Sequence, residues 1–209
     1  MAGSATQQPL NRERILSCAV LVADRDGLEA ASLRRIAGEL GVHVTSLYNH
    51  VETKEALLDG LIEQLLGSVD LPLEELPWEQ WVRCFVAAVA RLAREHPGAF
   101  AVLLRRPVQG PRAAATFEVG MAAFRGAGLD TGAAYAAVKS VALAALGCCV
   151  EQAYAASGGD LATDLGALPA REFPELHRLT DDAVDLDVVA TLAEVLVAGL
   201  AARLPPVRR

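Results

Sequence analysis

The stretch SLRRIAGELGVHVTSLYNHVETK, residues 32–54, decides the fold of this 209-residue chain. Its first half repeats apolar residues at three- and four-residue spacing, which places them on one face of a helix: Leu33, Ile36, Ala37 and Leu40. Ser32 precedes that helix as an N-cap, and Gly41 follows it where a helix end often needs a positive φ. The pattern therefore predicts a short helix that ends in a tight turn.

A second short helix is predicted after the turn, because Val42, Leu47 and Val51 can pack against the small Ala37. Its outward side carries hydrogen-bonding groups, namely Thr45, Ser46, Tyr48, Asn49 and His50. A helix with such groups fits the major groove of DNA. The pattern alone leaves a second interpretation open, an ordinary helical hairpin in a core with two of these side chains half-buried.

Three segments in order resemble the N-terminal helix-turn-helix of the tetracycline-repressor family of bacterial regulators: SLRRIAGELGV, TSLYNHV and TKEALLDGL. The resemblance implies that a first helix, about 12–25 and capped by Asn11, packs across the other two. Thr53 is predicted to cap a helix that runs to about Val69, and the resemblance implies that this helix leads into the next domain and acts as a lever. The DNA contacts that it implies are Ser32, Arg34, Val44, Thr45, Ser46, Tyr48, Asn49, His50 and Lys54.

The charge of the chain is unevenly distributed. Its formal net charge is −7, yet residues 10–54 hold six basic and six acidic side chains. The acidic excess therefore lies after Lys54, and a DNA duplex would be repelled by that part of the surface. Apolar residues make up 53% and aromatic residues 5%, which predicts a sizeable aliphatic core rich in alanine.

We expect an all-α protein with a flexible tail at 1–9, a helix-turn-helix DNA-binding domain at 10–54, and a helical effector-binding and dimerisation domain at 55–209. Helical periodicity predicts further helices at about 78–96, 100–106, 112–126, 131–156, 172–179 and 185–204. Residues 157–169 are rich in Gly, Asp and Ala without a clear period, so a loop is predicted there.

The resemblance continues beyond the first helices, into the effector domain of tetracycline-binding members of the family. It is carried by EHPGAFAVLLRRPVQGP, FRGAGLD, ALGCCVEQ and a closing VLVAGLAARL. It implies a homodimer in which Thr131–Ala156 and Asp185–Leu204 of each protomer form a four-helix bundle above a ligand cavity. The family also leans towards repression.

One position departs from the tetracycline-binding pattern. Those proteins coordinate the magnesium of the drug with a histidine one helical turn before the LGC-like segment, and Leu143 stands there in this chain. A leucine cannot ligate a hard cation. We therefore expect a small, largely apolar effector with one polar or cationic group near Glu151, the counterpart of the cavity glutamate.

Eight residues are candidates for lining that cavity: Phe85, Phe100, Leu103, Phe117, Met121, Leu143, Gly147 and Glu151. Plain core packing is the alternative for each of them.

No motif for chemistry is found. GxSxG, HExxH and P-loop patterns are absent. His43 and His50 lie seven residues apart, about 10 Å along a helix, which is too far for one metal. We expect no catalytic residue, no metal and no cofactor. The four cysteines lack CxxC spacing and fit reduced thiols in the cytoplasm.

The longest apolar run, 140–150, is too short to span a bilayer, so no membrane partner is expected. The predicted function is that of a homodimeric repressor, which binds a palindromic DNA operator and is released by a small-molecule effector. The first alternative is a helical ligand-binding protein without DNA-binding activity, and the second, which the sequence favours less, is an enzyme.

Overall fold

The computed structural model of the chain describes residues 9–156, 168–181 and 187–205. Regular structure within them is helical, which confirms the predicted fold class. The helices are α1 (Arg12–Asp26), α2 (Leu33–Leu40), α3 (Val44–Tyr48), α4 (Lys54–Ser68), α5 (Trp78–Glu95), α6 (Pro97–Phe100), α7 (Val102–Arg105), α8 (Pro111–Gly126), α9 (Thr131–Ala156), α10 (Pro174–Asp181) and α11 (Val188–Ala201). The predicted tail up to residue 8, the predicted loop over 157–167 and residues 182–186 lie outside the described part.

Helix starts follow the predicted caps. The side chains of Asn11, Ser32 and Thr53 each accept a hydrogen bond from the backbone N–H three positions on, at 2.8, 3.3 and 3.0 Å. Gly41 has φ 67° and ends α2 in the left-handed region, where a glycine carries no steric penalty. Local chemistry thus sets the boundaries of the first helices.

The N-terminal unit is held together by a small aliphatic core. Ile15, Ala19, Ile36, Leu47 and Val51, from α1, α2 and the α3 region, are all fully buried. Helix α4 packs along α1 and also contacts α5, α6, α7 and α8. One helix therefore touches both the N-terminal unit and the rest of the chain.

The larger unit is built from α5, α8, α9 and α11, which pack against one another. Its centre is aromatic: the rings of Trp81 and Phe85 stack at 5.1 Å, and Phe124 meets Trp81 edge-on at 6.2 Å. Gly120 lets α8 approach this cluster, because a methyl group there would lie 2.5 Å from the Trp81 ring. Four aromatic residues, Trp78, Trp81, Phe85 and Phe124, are thus in ring contact where α5 and α8 meet.

Two short helices replace the single one predicted over 100–106. Helix α6 already begins at Pro97, a residue that suits the first turn of a helix because it lacks an N–H. This start lies on the last turn of α1. The Asp24 carboxylate accepts from the Ala99 N–H at 2.9 Å and pairs with His96 Nδ1 at 2.8 Å. Asp24 therefore joins the N-terminal unit to the larger one.

Helix α9 is long and apolar enough over Thr131–Tyr154 to cross a membrane, by length and composition alone. The uncharged run within it, residues 140–150, is shorter because Lys139 and Glu151 bound it. Central helices of folded domains pass the same test, and α9 packs against α5, α8 and α11. Its opposite face stays exposed at Tyr135, Leu143, Val150 and Tyr154.

Candidate nucleic-acid interface and ligand cavity

Helix α3 presents the predicted groove-facing residues on its open side. Thr45, Tyr48 and Asn49 are exposed, whereas Val44, Ser46 and His50 are half-buried at its edges. Leu47 points the opposite way and is fully buried. This single buried side chain fixes the rotation of the helix and so decides which groups face outward.

The end of α3 is also tied to α1. Arg12 donates from Nη1 to the backbone carbonyl of His50 at 3.1 Å. Val51, the next residue, is fully buried. Because α3 has only five residues, such external fixing is needed to hold it in one orientation.

Four charged side chains form a network behind α2. Arg25 pairs with Asp26 at 2.8 Å and with Glu39 at 2.6 Å, and Arg35 pairs with the same two carboxylates at 3.2 and 3.1 Å. The hydrogen bonds from Arg25 hold the pKa of Asp26 and of Glu39 below their ordinary values. Neighbouring Arg34 has no ion pair to a described carboxylate, so its charge remains available to a ligand.

The remaining predicted contacts frame α3. Ser32 and Arg34 are exposed at the start of α2, along a shallow depression, and Lys54 is exposed at the start of α4. The Ser32 oxygen already caps α2, which leaves its O–H free to donate. Most of the predicted set is thus exposed at the surface of the N-terminal unit, and its role in DNA contact stays a prediction.

A cavity of about 170 Å³ lies between α4, α5, α7, α8 and α9. Four of the eight predicted residues line it, namely Phe85, Leu103, Phe117 and Leu143. Its other lining residues are Leu66, Leu71, Arg106, Pro107, Val108, Ala113, Thr116, Lys139, Ala142 and Leu146. Most of this lining is apolar, and Leu66 places α4 directly in the wall.

The other four predicted residues are not in this wall. Phe100 is fully buried but belongs to α6, near the junction with α1. Met121 is half-buried elsewhere on α8, and Gly147 has open space where a Cβ would stand, on an exposed part of α9. The side chain of Glu151 lies outside the described part. Met121 and Gly147 each lie one helical turn beyond a lining residue, Phe117 and Leu143, so it is their position along α8 and α9 that removes them from the wall.

Two cations in the wall were missed. Arg106 pairs through Nε with Asp59 Oδ1 of α4 at 2.8 Å. Lys139 Nζ stands 5.9 Å from the centre of the Phe117 ring, within the range of a cation–π contact. One indication of Arg106 came from the sequence, its position in RRPVQGP, a segment that carries the resemblance to the effector domain. The charged side chains within the described lining are both basic.

Thiols do not form part of either site. Among the described residues no disulfide joins Cys18, Cys84, Cys148 or Cys149, and Cys84 is exposed. Burial raises the pKa of the Cys149 thiol to about 11. In the described ranges no three His, Cys, Asp or Glu side chains are grouped as metal ligands.

Comparisons with known proteins agree with this geometry. Residues 15–61 match the family described as bacterial regulatory proteins, tetR family. An HTH-type transcriptional regulator of Saccharopolyspora erythraea is 40% identical over 141 residues, which cover 66% of this chain and 60% of that protein. The chain therefore spans about three fifths of the length of this curated relative. The class D tetracycline repressor protein of Escherichia coli is 28% identical over 182 residues, or 85% and 81% of the two chains.

Solved structures extend the likeness over almost the whole chain. The TetR-family protein ActR of Streptomyces coelicolor, in complex with (S)-DNPA, superposes with a TM-score of 0.75 at 29% identity. The match covers 94% of this chain and 100% of ActR. These relatives are transcriptional regulators rather than enzymes. The helix-turn-helix match over residues 15–61, the curated relatives and the shared fold confirm the resemblance to the TetR family of bacterial transcriptional regulators.

Proposed function

We propose that this protein is a repressor that binds a palindromic DNA operator as a homodimer and releases it when a small molecule enters the cavity. The observation that carries the proposal is helix α4. It begins beside the exposed groups of α3, at Lys54, and places Leu66 in the cavity wall. A single rigid element thus spans from the DNA-facing side to the ligand-facing side.

The release step follows from the position of that helix. A ligand shifts an equilibrium only by its difference in affinity for the two states, commonly about 1–3 kcal/mol of coupling. A swing of α4 changes the spacing of the two α3 helices in a dimer, which a duplex accepts only near one helical turn, about 34–36 Å. Filling the cavity therefore lowers operator affinity without blocking α3.

The DNA-binding part is tested by fluorescence anisotropy of the purified protein on DNA that flanks its own coding region. Asn49→Ala is expected to relax the base preference at one operator position, with a loss of about 1–3 kcal/mol. Arg34→Ala is expected to weaken binding to all sequences, because a phosphate contact carries no base information. Leu21→Ala, on an exposed site of α1 away from α3, is the control.

The interface is wrong if Tyr48→Ala and Asn49→Ala, combined in one protein, leave operator binding intact. Repression is tested by transcription in vitro from the same DNA, where the protein should lower transcript yield and an activator would raise it. A DNA-binding role also places the protein in the cytoplasm.

The proposed dimer uses α9 and α11. Their exposed faces carry apolar side chains, among them Leu143 at 59%, Val188 at 54% and Val195 at 61% exposure. A second copy would cover these residues and complete a four-helix bundle. Val195→Arg should give a monomer by light scattering, whereas Leu21→Arg, at a 69% exposed position on α1, should not. A monomeric wild type at micromolar concentration would contradict the dimer.

A further inference from the structure

We propose that the effector carries an anionic group, such as a carboxylate, and that this group releases α4 by drawing Arg106 away from Asp59. The inference rests on the proposed function, because it names the chemistry of the ligand in the same cavity. The polar or cationic group expected near Glu151 is a separate prediction, which stays untested because the side chain of Glu151 lies outside the described part.

The first argument is the charge of the wall. Arg106 and Lys139 are the charged side chains in the described lining, and the remainder is apolar except for the hydroxyl of Thr116. Thr116 is nearly buried and donates to the Arg112 carbonyl, so it is already satisfied. An apolar body with one carboxylate would place its rings or chain among Phe85 and Phe117. Its charge would then meet the two cations, the arrangement in which ionic hydrogen bonds are strongest.

The second argument is that neither cation is held firmly by the protein. The Arg106–Asp59 pair is partly exposed, with 29% and 58% of the two side chains accessible. Such pairs contribute little to stability, so a ligand carboxylate can compete for the guanidinium. Lys139 makes its described contact with the face of Phe117, and no described carboxylate pairs with it. Both cations can therefore turn towards a bound anion.

The third argument is the seam between the cavity and α4. The turn that follows α7 faces two ways: Arg106, Pro107 and Val108 line the cavity, while Gly110 lies against the carboxylate of Glu63 on α4. Glu63 Oε1 is buried and has no hydrogen-bond partner among the described atoms. Asp59 lies one helical turn before Glu63 and holds Arg106. This turn is therefore attached to α4 by one ion pair, and beside that pair lies a carboxylate oxygen that lacks a partner among the described atoms.

Together these features make a simple exchange. In the empty protein Arg106 neutralises Asp59 and binds the turn to α4. In the filled protein the ligand carboxylate takes the guanidinium, and Asp59 then lacks a partner on the same face of α4 as Glu63 Oε1, which already lacks one among the described atoms. These carboxylates are then more stable in water than against the turn that follows α7, so α4 can move away from the turn.

The test compares matched probes that differ only in charge: benzoate, 2-naphthoate and decanoate, each against its neutral amide. Binding to the full chain without DNA is measured by calorimetry and by tryptophan fluorescence, to which Trp81 contributes from its stack on the cavity residue Phe85. At least one carboxylate should bind about tenfold more tightly than its amide. In Arg106→Gln and in Lys139→Met, the ratio of carboxylate affinity to amide affinity should fall close to one.

The competition has its own variant. Asp59→Asn removes the intramolecular partner of Arg106 without altering the wall, and should raise carboxylate affinity about threefold. A purely structural role of the ion pair predicts a loss or no change. Asp70→Asn, which breaks the Arg91 pair outside the cavity, is the matched control. We expect carboxylate affinity to rise in Asp59→Asn and to stay unchanged in Asp70→Asn.

The proposal is overturned if the amides bind as tightly as the carboxylates, if Arg106→Gln keeps the preference, or if no carboxylate binds at millimolar concentration. It is also overturned if Asp59→Asn lowers carboxylate affinity. Because these measurements need no DNA, they are separate from the proposed function. That function fails instead if the empty protein binds no operator.

Discussion

Gly98→Ala should destabilise the protein by forcing α6 away from α1. A methyl group at Gly98 would lie 2.0 Å from the backbone carbonyl oxygen of Ala23, whereas ordinary contact begins at 3.4 Å. The two backbones must therefore separate by roughly 1.4 Å, the difference between these distances. A shift of that size would also break the 2.9 Å hydrogen bond from the Ala99 N–H to Asp24.

The magnitude follows from these losses. Overpacking against backbone costs about 1–3 kcal/mol and the lost hydrogen bond about 0.5–1.5 kcal/mol. Alanine returns about 0.4–1 kcal/mol by restricting the unfolded chain. The expected net loss of unfolding free energy is about 1–3 kcal/mol, which lowers Tm by roughly 2–12 °C for a chain of this size.

The assay is urea unfolding followed by circular dichroism, with thermal melting as a second measurement. Gly38→Ala is the matched control, because this exposed glycine lies inside α2 and nothing stands within 4 Å of the added methyl group. The control should gain stability by about 0.4–1 kcal/mol. If Gly98→Ala unfolds at the wild-type urea midpoint while the control behaves as expected, the close contact between α1 and α6 is not real.

Two further predictions concern titration and thiol chemistry. The pKa values of Asp26 and Glu39 are lowered by Arg25, so their contribution to stability is present above the unfolded pKa values near 4 and is lost as pH falls through the folded ones. Arg25→Gln should therefore flatten the acid limb of a plot of urea midpoint against pH, and an unchanged limb would show that the network does not couple to folding. Exposed Cys84 should react first with a thiol reagent at pH 8, whereas buried Cys149, with its pKa raised to about 11, should react only in urea. Mass spectrometry of the labelled peptides checks the order, and early labelling of Cys149 would contradict its burial.

The sequence predicted the parts of the fold that local chemistry controls. Caps at Asn11, Ser32 and Thr53, and the left-handed Gly41, lie where residue types placed them, because each depends on atoms within four residues. The exposed groups of α3 were predicted for a similar reason. One buried residue, Leu47, sets the face of a short helix.

The cavity was predicted only in part, because it depends on distant packing. Phe100 and Phe117 are the same residue type, each in a segment predicted to be helical. Phe100 is nevertheless fully buried at a helix junction, whereas Phe117 lines the cavity. The pairing of Arg106 with Asp59 joins residues 47 positions apart, and nothing in local periodicity reports such a contact. The lining of the cavity therefore depends on the packing of distant segments and on an ion pair between them, neither of which can be read from the local sequence pattern.

The Arg25–Asp26–Arg35–Glu39 network has a consequence for how the protein would search a genome. Two of the six cations of the N-terminal unit, Arg25 and Arg35, are neutralised by carboxylates in this network. Arg34 and Lys54, on either side of α3 in the sequence, have no ion pair to a described carboxylate. A dimer with two such cations per protomer would release few counter-ions, giving a log–log salt slope of about −4. Binding to random DNA is almost purely electrostatic, so it would be weak at cellular ionic strength. Such a protein would find its operator by diffusion through solution more than by sliding, and few molecules would be lost to the rest of the chromosome.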